Sequence, residues 1–395
     1  MLKSPLTMLI VSSGVAQAIL LLGSVVMVLV YTPAAIGSYG VYATSASLIS
    51  VGASLRLDYF AFFEKEGTVA RGLVFVCGAT LFFGIMVAIS ALYVLGGISF
   101  EVALYSVVTI FSFATFHLLS QYTLLNKDYD VYSKARIVNG LSYVIFLLVL
   151  QRYDVSGLIF SYCAAQLVAS LIMYVRNPPV IAFSAVFYSF SYRIKERLAN
   201  LSSTVIQLSS PAVPLLLGAH FFSTDELGVF FWLSQLFAGG AAIIKRSLMG
   251  YLSAELMSNG KVRLETLLLA RNTLKLGMVL SIASAVGAWA VGGVTSSYVH
   301  GWNMAISLVP PFLLLYTADA LLQPLGSLLP SLGQEKTHLT NEILRLVSVS
   351  GCMFAIEIVG GGIVYFAWLY SLAMILFYFI GAFLFIRVAA KKVLA

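Results

Sequence analysis

An all-α polytopic membrane protein of about twelve transmembrane helices is the fold class this sequence predicts, and three observations carry it. The chain of 395 residues is 60% hydrophobic and only 10% charged, against about 25% charged in a soluble domain. A soluble fold of this size could not bury so much apolar surface. The apolar residues also fall into runs near the length that crosses a bilayer, about 20 residues. Finally, the basic residues sit between those runs on alternate sides.

In chain order the expected spans run 7–31, 36–55, 72–95, 102–124, 137–151, 157–175, 199–222, 227–244, 274–294, 303–329, 343–361 and 366–386. Ala16-Gln17-Ala18 has the form of a signal-peptidase site. Too few apolar residues precede it and the run continues to Tyr31, so a first span is expected and not a cleaved signal. The fifth run is short and is expected to begin earlier, in the charged stretch before it. With both termini in the cytoplasm, the inner segments hold Lys3; Arg56, Lys65 and Arg71; Lys127, Lys134 and Arg136; and Arg176, Arg193, Lys195 and Arg197. They continue with Lys245, Arg246, Lys261, Arg263, Arg271 and Lys275; Lys336 and Arg345; and Arg387, Lys391 and Lys392. Only Arg152 falls outside, and a wrong span count would scramble this alternation. The net charge of +7 is thereby assigned to cytoplasmic loops. No basic run is long enough to track phosphates, so nucleic acid is not an expected partner. Cys77, Cys163 and Cys352 each lie inside an apolar stretch, and no CxxC pattern offers a metal site.

Between the sixth and seventh runs, Phe183, Phe187, Phe190 and Ile194 recur at helical spacing beside the basic run Arg193–Arg197. That pattern predicts an amphipathic helix on the cytoplasmic surface. The expected organisation is a six-helix bundle over 1–176, a linker helix over 177–198 and a second six-helix bundle over 199–395. A shift of 191 residues supports two related halves: Tyr31 meets Phe222, Thr32 meets Ser223, Ile36 meets Leu227, Gly37 meets Gly228 and Glu64 meets Glu255.

Two acids interrupt the apolar runs. Asp319 lies in the tenth, and a carboxylate in a bilayer costs a few kcal/mol, so it is expected to face the bundle interior. Tyr316 and Gln323, three residues before and four after, lie on its helical face and can hydrogen-bond to it. Pro310 and Pro311 before it and Pro324 after it make a kinked or broken helix the expectation. Glu357 is the second acid, followed by Gly360, Gly361 and Gly362. Two roles stay open for both acids. Either could bind and release a coupling ion, H⁺ ahead of Na⁺, because burial disfavours the charged form of a carboxyl. Either could equally be a hydrogen-bonded packing residue. His117 and His220 read as satisfied core histidines, and Pro211 and Pro214 predict a bend in the seventh span. No HExxH, GxSxG, P-loop or paired-carboxylate loop appears, and the outer loops are short, with only Glu101, Asp154, Asp225 and Glu226 as acids. An enzyme is therefore not expected, and neither catalytic residues nor a resident cofactor are assigned.

Three stretches carry a family resemblance. LRLDYFAFFEKEG over Leu55–Gly67 ends a second helix in an Arg, an aromatic-acidic pair and a short acidic loop. STDELGVFFWLSQLFAGGAAIIKRSLMGYLSAEL over Ser223–Leu256 and LGQEKTHLTNEILRLV over Leu332–Val347 are the others. Together they resemble the O-antigen or oligosaccharide-lipid flippase group of the multidrug/oligosaccharidyl-lipid/polysaccharide exporter superfamily. The resemblance implies two six-helix bundles around a central cavity in the inner membrane of a bacterium. The implied cargo is an undecaprenyl-diphosphate-linked oligosaccharide, such as an O-antigen repeat unit of lipopolysaccharide, moved from the inner to the outer leaflet. Membrane lipids, a polysaccharide polymerase and a chain-length regulator are the implied partners. A diphosphate needs a cationic site, and Arg56, Lys245 and Arg246 are the candidates, with Asp58 able to pair with Arg56; the bland alternative is that they anchor cytoplasmic loops. The competing functional readings are a small-molecule or drug exporter of the same superfamily and a membrane-embedded polysaccharide-assembly enzyme.

Overall fold

A computed structural model describes residues 5–52, 89, 99–126, 128–178, 194–259, 268, 271–273, 275 and 303–394. Every regular element among them is helical. The long helices are α1 (Pro5–Val30), α2 (Pro33–Gly52), α3 (Phe100–Leu125), α4 (Tyr129–Val149), α5 (Asp154–Arg176), α6 (Ile194–Leu216) and α7 (Thr224–Asn259). They continue with α8 (Asn303–Leu321), the short α9 (Gln323–Ser327), α10 (Glu335–Val359) and α11 (Ile363–Leu394). Among the described residues, five segments are long and apolar enough to cross a membrane: Phe100–Leu124, Gln151–Arg176, Leu201–His220, Met304–Leu321 and Ile363–Lys391. The chain is thus a multi-pass membrane protein. The runs expected at 72–95 and 274–294, and most of the linker at 177–198, lie outside the described residues.

Helix starts follow local chemistry. Ser99 caps α3 by accepting from the Val102 N–H at 3.3 Å, and Asp128 caps α4 by accepting from the Val131 N–H at 3.2 Å. The fifth span therefore starts in the charged stretch, at Tyr129. Ser223-Thr224-Asp225-Glu226 forms a capping box at the head of α7. Ser223 Oγ accepts from the Glu226 N–H at 3.3 Å, and the Glu226 carboxylate accepts from the Ser223 N–H at 2.9 Å. Helix α2 begins at Pro33 and α7 at Thr224, which is the same 191-residue offset, and the matched Ile36 and Leu227 are both buried.

The chain divides into two compact units, Met1–Leu208 and Ser209–Ala395. In the first, α1 packs on α4, α4 on α5, and α2 and α3 on α5. Its interior is aromatic: Tyr162 meets Phe113, Tyr143 and Tyr39 at ring distances of 5.1, 5.4 and 6.0 Å. In the second, α7 packs on α8, and α11 receives α8, α9 and α10. Gly326 of α9 and Gly381 of α11 allow a close approach of their helices. A Cβ on Gly326 would stand 3.3 Å from Gly381 Cα, and small residues are what lets helix backbones meet in a bilayer. Helix α6 runs unbroken from Ile194, so no helix end falls at the expected 198/199 boundary, and Pro211 and Pro214 sit within its last two turns.

Candidate functional site

Three helix faces in the second unit lead to one place. On α7, Phe230, Phe237 and Lys245 are spaced by seven and eight residues, about two turns each. On α8, Phe312, Tyr316 and Asp319 follow at four and three. On α11, Phe366, Tyr370, Met374 and Tyr378 recur every fourth residue and all are buried. The apolar ends of these stripes lock together. Phe230 meets Phe312 edge-on at 4.8 Å, and Tyr316 stacks on Phe312 at 6.0 Å and on Phe237 at 6.4 Å. The polar ends meet one to two turns further on.

There, Lys245 donates to both carboxylate oxygens of Asp319, at 3.1 Å to Oδ1 and 3.0 Å to Oδ2. The two partners are not equally enclosed: the Lys245 side chain is 32% exposed and that of Asp319 11%. Tyr378, Tyr370 and Tyr316 are close enough to the carboxylate to feel its charge. An enclosed carboxylate whose two oxygens both accept from one cation has its charge paired, which is the condition for keeping charge away from water.

A second polar cluster adjoins the first. His338, Asn341, Glu342 and Arg345 of α10 are all buried, and their spacing of three, four and seven residues places them on one helical face. Glu342 pairs with Arg345, with side chains 5% and 3% exposed. The Arg345 guanidinium lies over the Tyr378 ring at 5.5 Å, and the Asn341 amide donates to the Phe377 carbonyl at 3.3 Å. Burial, reinforced by Arg345, holds His338 below the ordinary histidine range, and burial pushes Glu342 up against the opposing pull of Arg345. Tyr378 therefore has Asp319 on one side and Arg345 on the other.

These placements revise several expectations from the sequence. Lys245 does not sit in a loop after the eighth span, because α7 continues to Asn259 and carries it on a helix face. The side chain of adjacent Arg246 lies outside the described residues, as do Arg56 and Asp58 altogether. Gln323 is separated from Asp319 by a break: α8 ends at Leu321 and Gln323 opens α9, with Pro324 next. Pro310 and Pro311, by contrast, stay inside α8. Glu357 is exposed near the end of α10, before the left-handed Gly360, so it does not join Asp319 as a second buried acid. His220 is exposed in a 3₁₀ turn after α6, whereas His117 is half-buried on α3. Glu342 and Arg345 belong to a buried helix face and not to a loop and its edge. The signal for them is the His338, Asn341, Glu342, Arg345 stripe, which makes sense only as a buried polar face.

No family model matches the chain, and no curated protein matches its sequence. Solved structures do match. A lipid II flippase MurJ in an inward closed conformation superposes with TM-score 0.74 at 9% identity, covering 97% of this chain and 90% of that one. The MATE multidrug transporter DinF-BH gives 0.63 at 14% identity, covering 99% and 96%. A MOP superfamily transporter from Pyrococcus furiosus gives 0.54 at 13%, covering 100% and 97%. The chain thus has the fold of MOP-type transporters over its whole length.

Proposed function

We propose that this chain is a flippase that moves an undecaprenyl-diphosphate-linked oligosaccharide from the inner to the outer leaflet of a bacterial inner membrane, with Asp319 as its ion-coupling residue and Lys245 as a contact for the diphosphate. The observation that carries the proposal is the Lys245–Asp319 pair. It joins a cation suited to phosphate and an acid suited to a proton at one enclosed point. The likeness to a lipid II flippase supports a lipid-linked cargo. Tyr316 lies beside the carboxylate on its own helix, and Arg56, Asp58 and Arg246 are further proposed contacts for the cargo. In this reading H⁺ is the coupling ion, two six-helix halves supply the alternating access, and no bond in the cargo is made or broken.

A drug exporter is the second reading, favoured by the likeness to a multidrug transporter. The two differ in whether the cargo keeps a lipid anchor. Deletion of the gene, followed by restoration with wild type, Asp319→Asn or Lys245→Gln at matched membrane levels, decides between them. The flippase reading expects loss of surface polysaccharide on deletion, recovery with wild type, and at least tenfold less polysaccharide with either variant. Unchanged polysaccharide with altered drug resistance would replace it with the exporter. Full recovery by Asp319→Asn would assign that carboxylate to packing.

A further inference from the structure

The Lys245–Asp319 pair is lopsided, and the asymmetry has a chemical consequence. The lysine is the open partner, about three times as exposed as the acid. It is also the mobile one, an ammonium on a four-carbon stem, whereas Asp319 is short and fixed on α8. An anion arriving from solvent therefore meets Lys245 first and competes with Asp319 for its N–H donors.

We propose that the pair is an anion–proton exchange site, in which a diphosphate diester takes the Lys245 ammonium from Asp319 and Asp319 takes up one proton from solvent as it is released. The inference rests on the reading of Lys245 as the diphosphate contact and adds the coupling rule. In the exchange the ammonium–carboxylate contact breaks, an ammonium–phosphate contact forms, and a solvent proton binds an Asp319 oxygen. The described groups facing Asp319 favour the uptake. From α7 it meets Lys245; from α11, Tyr370 and Tyr378; on its own helix, Tyr316. Helix α9, QPLGS, offers no titratable group. The cation contributed from α10, Arg345, is held by Glu342 and lies across the Tyr378 ring. Among the described residues, a carboxylate stripped of its lysine would be left facing phenols, and such an enclosed, unpaired charge is removed by protonation. Loading and proton uptake thus become one event, and unloading restores the ion pair.

The experiment is calorimetric titration of the purified full chain in nanodiscs, at pH 6 to 7.5, in buffers of different ionisation enthalpy. The probes are a polyprenyl-diphosphate-linked sugar and UDP-glucose, both diesters whose phosphates carry no proton in this range. The expected result is uptake of about one proton per diester bound, so affinity falls by up to about tenfold per pH unit as pH rises. The lipid-linked diester should bind at least tenfold more tightly than UDP-glucose. Asp319→Asn should bind either diester with no proton uptake and a flat pH profile, and Lys245→Gln should weaken both at least tenfold. Binding by wild type without proton uptake would overturn the exchange and leave the flippase reading intact. Tighter binding of UDP-glucose would keep the exchange and remove the lipid-linked cargo. No binding of either diester would overturn both.

Discussion

The two units bury different chemistry. Among the described residues, the buried polar side chains of the first unit are neutral: Thr109, Ser112, Ser120, Thr123, Ser133, Asn139, Ser161, Gln166 and Ser170. Those of the second include Asp319, Glu342 and Arg345, together with the titratable His338. Some polar groups of the first unit bond locally, as when Ser161 donates back to the Gly157 carbonyl at 2.6 Å. The second joins helices with charge: α7 to α8 by an ion pair and α10 to α11 by a guanidinium over a ring. Neutral polar packing needs no partner of opposite sign and leaves little to titrate. A buried charge needs its partner at all times, so any event that removes the partner must be answered by an ion or a proton. Among the described residues, the second unit is where such charges are buried.

The largest expected effect comes from breaking the most enclosed pair. Arg345→Leu would leave Glu342 buried without its counter-charge and take the guanidinium off Tyr378. Loss of one partner of a buried pair costs about 3–5 kcal/mol. The double variant Glu342→Leu/Arg345→Leu should recover most of that loss, because no charge is then stranded. SDS-induced unfolding of the purified protein measures both. If the double variant is as unstable as the single one, the cost is lost packing, and the charged interior is incidental to stability.

How much of this can be read from the sequence depends on what each signal measures. Hydropathy reports what lipid will accept, and it locates every described long helix. It is blind to how far a helix continues beyond the bilayer-length window, which is why it ends α7 at 244 and begins α10 at 343. Both errors hide charge: Lys245 falls just past the end of one run and Glu342 just before the start of the other, and Lys245 reads as a loop anchor because basic residues at the ends of spans usually are. Asp319 is legible because a lone carboxylate in an apolar run has no ordinary explanation. Its partner is not, because the pairing joins residues 74 positions apart and rests on how two helices pack. Gln323 falls on the face of Asp319 only if one continuous helix is assumed; Pro324, with no N–H to donate, marks where that assumption ends. Glu357 looks like Asp319 by composition alone, and only the packing of α10 separates an exposed acid from an enclosed one.

A neutral substitution in the first unit sharpens the contrast. Tyr31 donates from its hydroxyl to the Leu147 carbonyl at 3.1 Å, tying the end of α1 to the end of α4. Tyr31→Phe removes that single neutral bond and keeps the ring. The expected loss is about 1 kcal/mol, with no dependence on pH between 6 and 8. A loss as large as that of Arg345→Leu would mean that the first unit relies on its polar bonds as heavily as the second does on its charges.

The smallest effect is expected from an ion pair of good geometry in the wrong place to matter. Lys134 and Asp130 on α4 approach to 2.5 Å, yet their side chains are 67% and 50% exposed. Both ends are already solvated, and holding two side chains together costs conformational freedom. Asp130 also lies in the first turn of α4, where a negative charge is favoured by the helix dipole. Asp130→Ala should therefore cost under about 1 kcal/mol in SDS unfolding, and less as salt is raised. Asp319 and Asp130 are the same residue type with the same kind of partner. If removing the exposed one proved as damaging as removing the enclosed one, enclosure would not be what gives the second unit its chemistry.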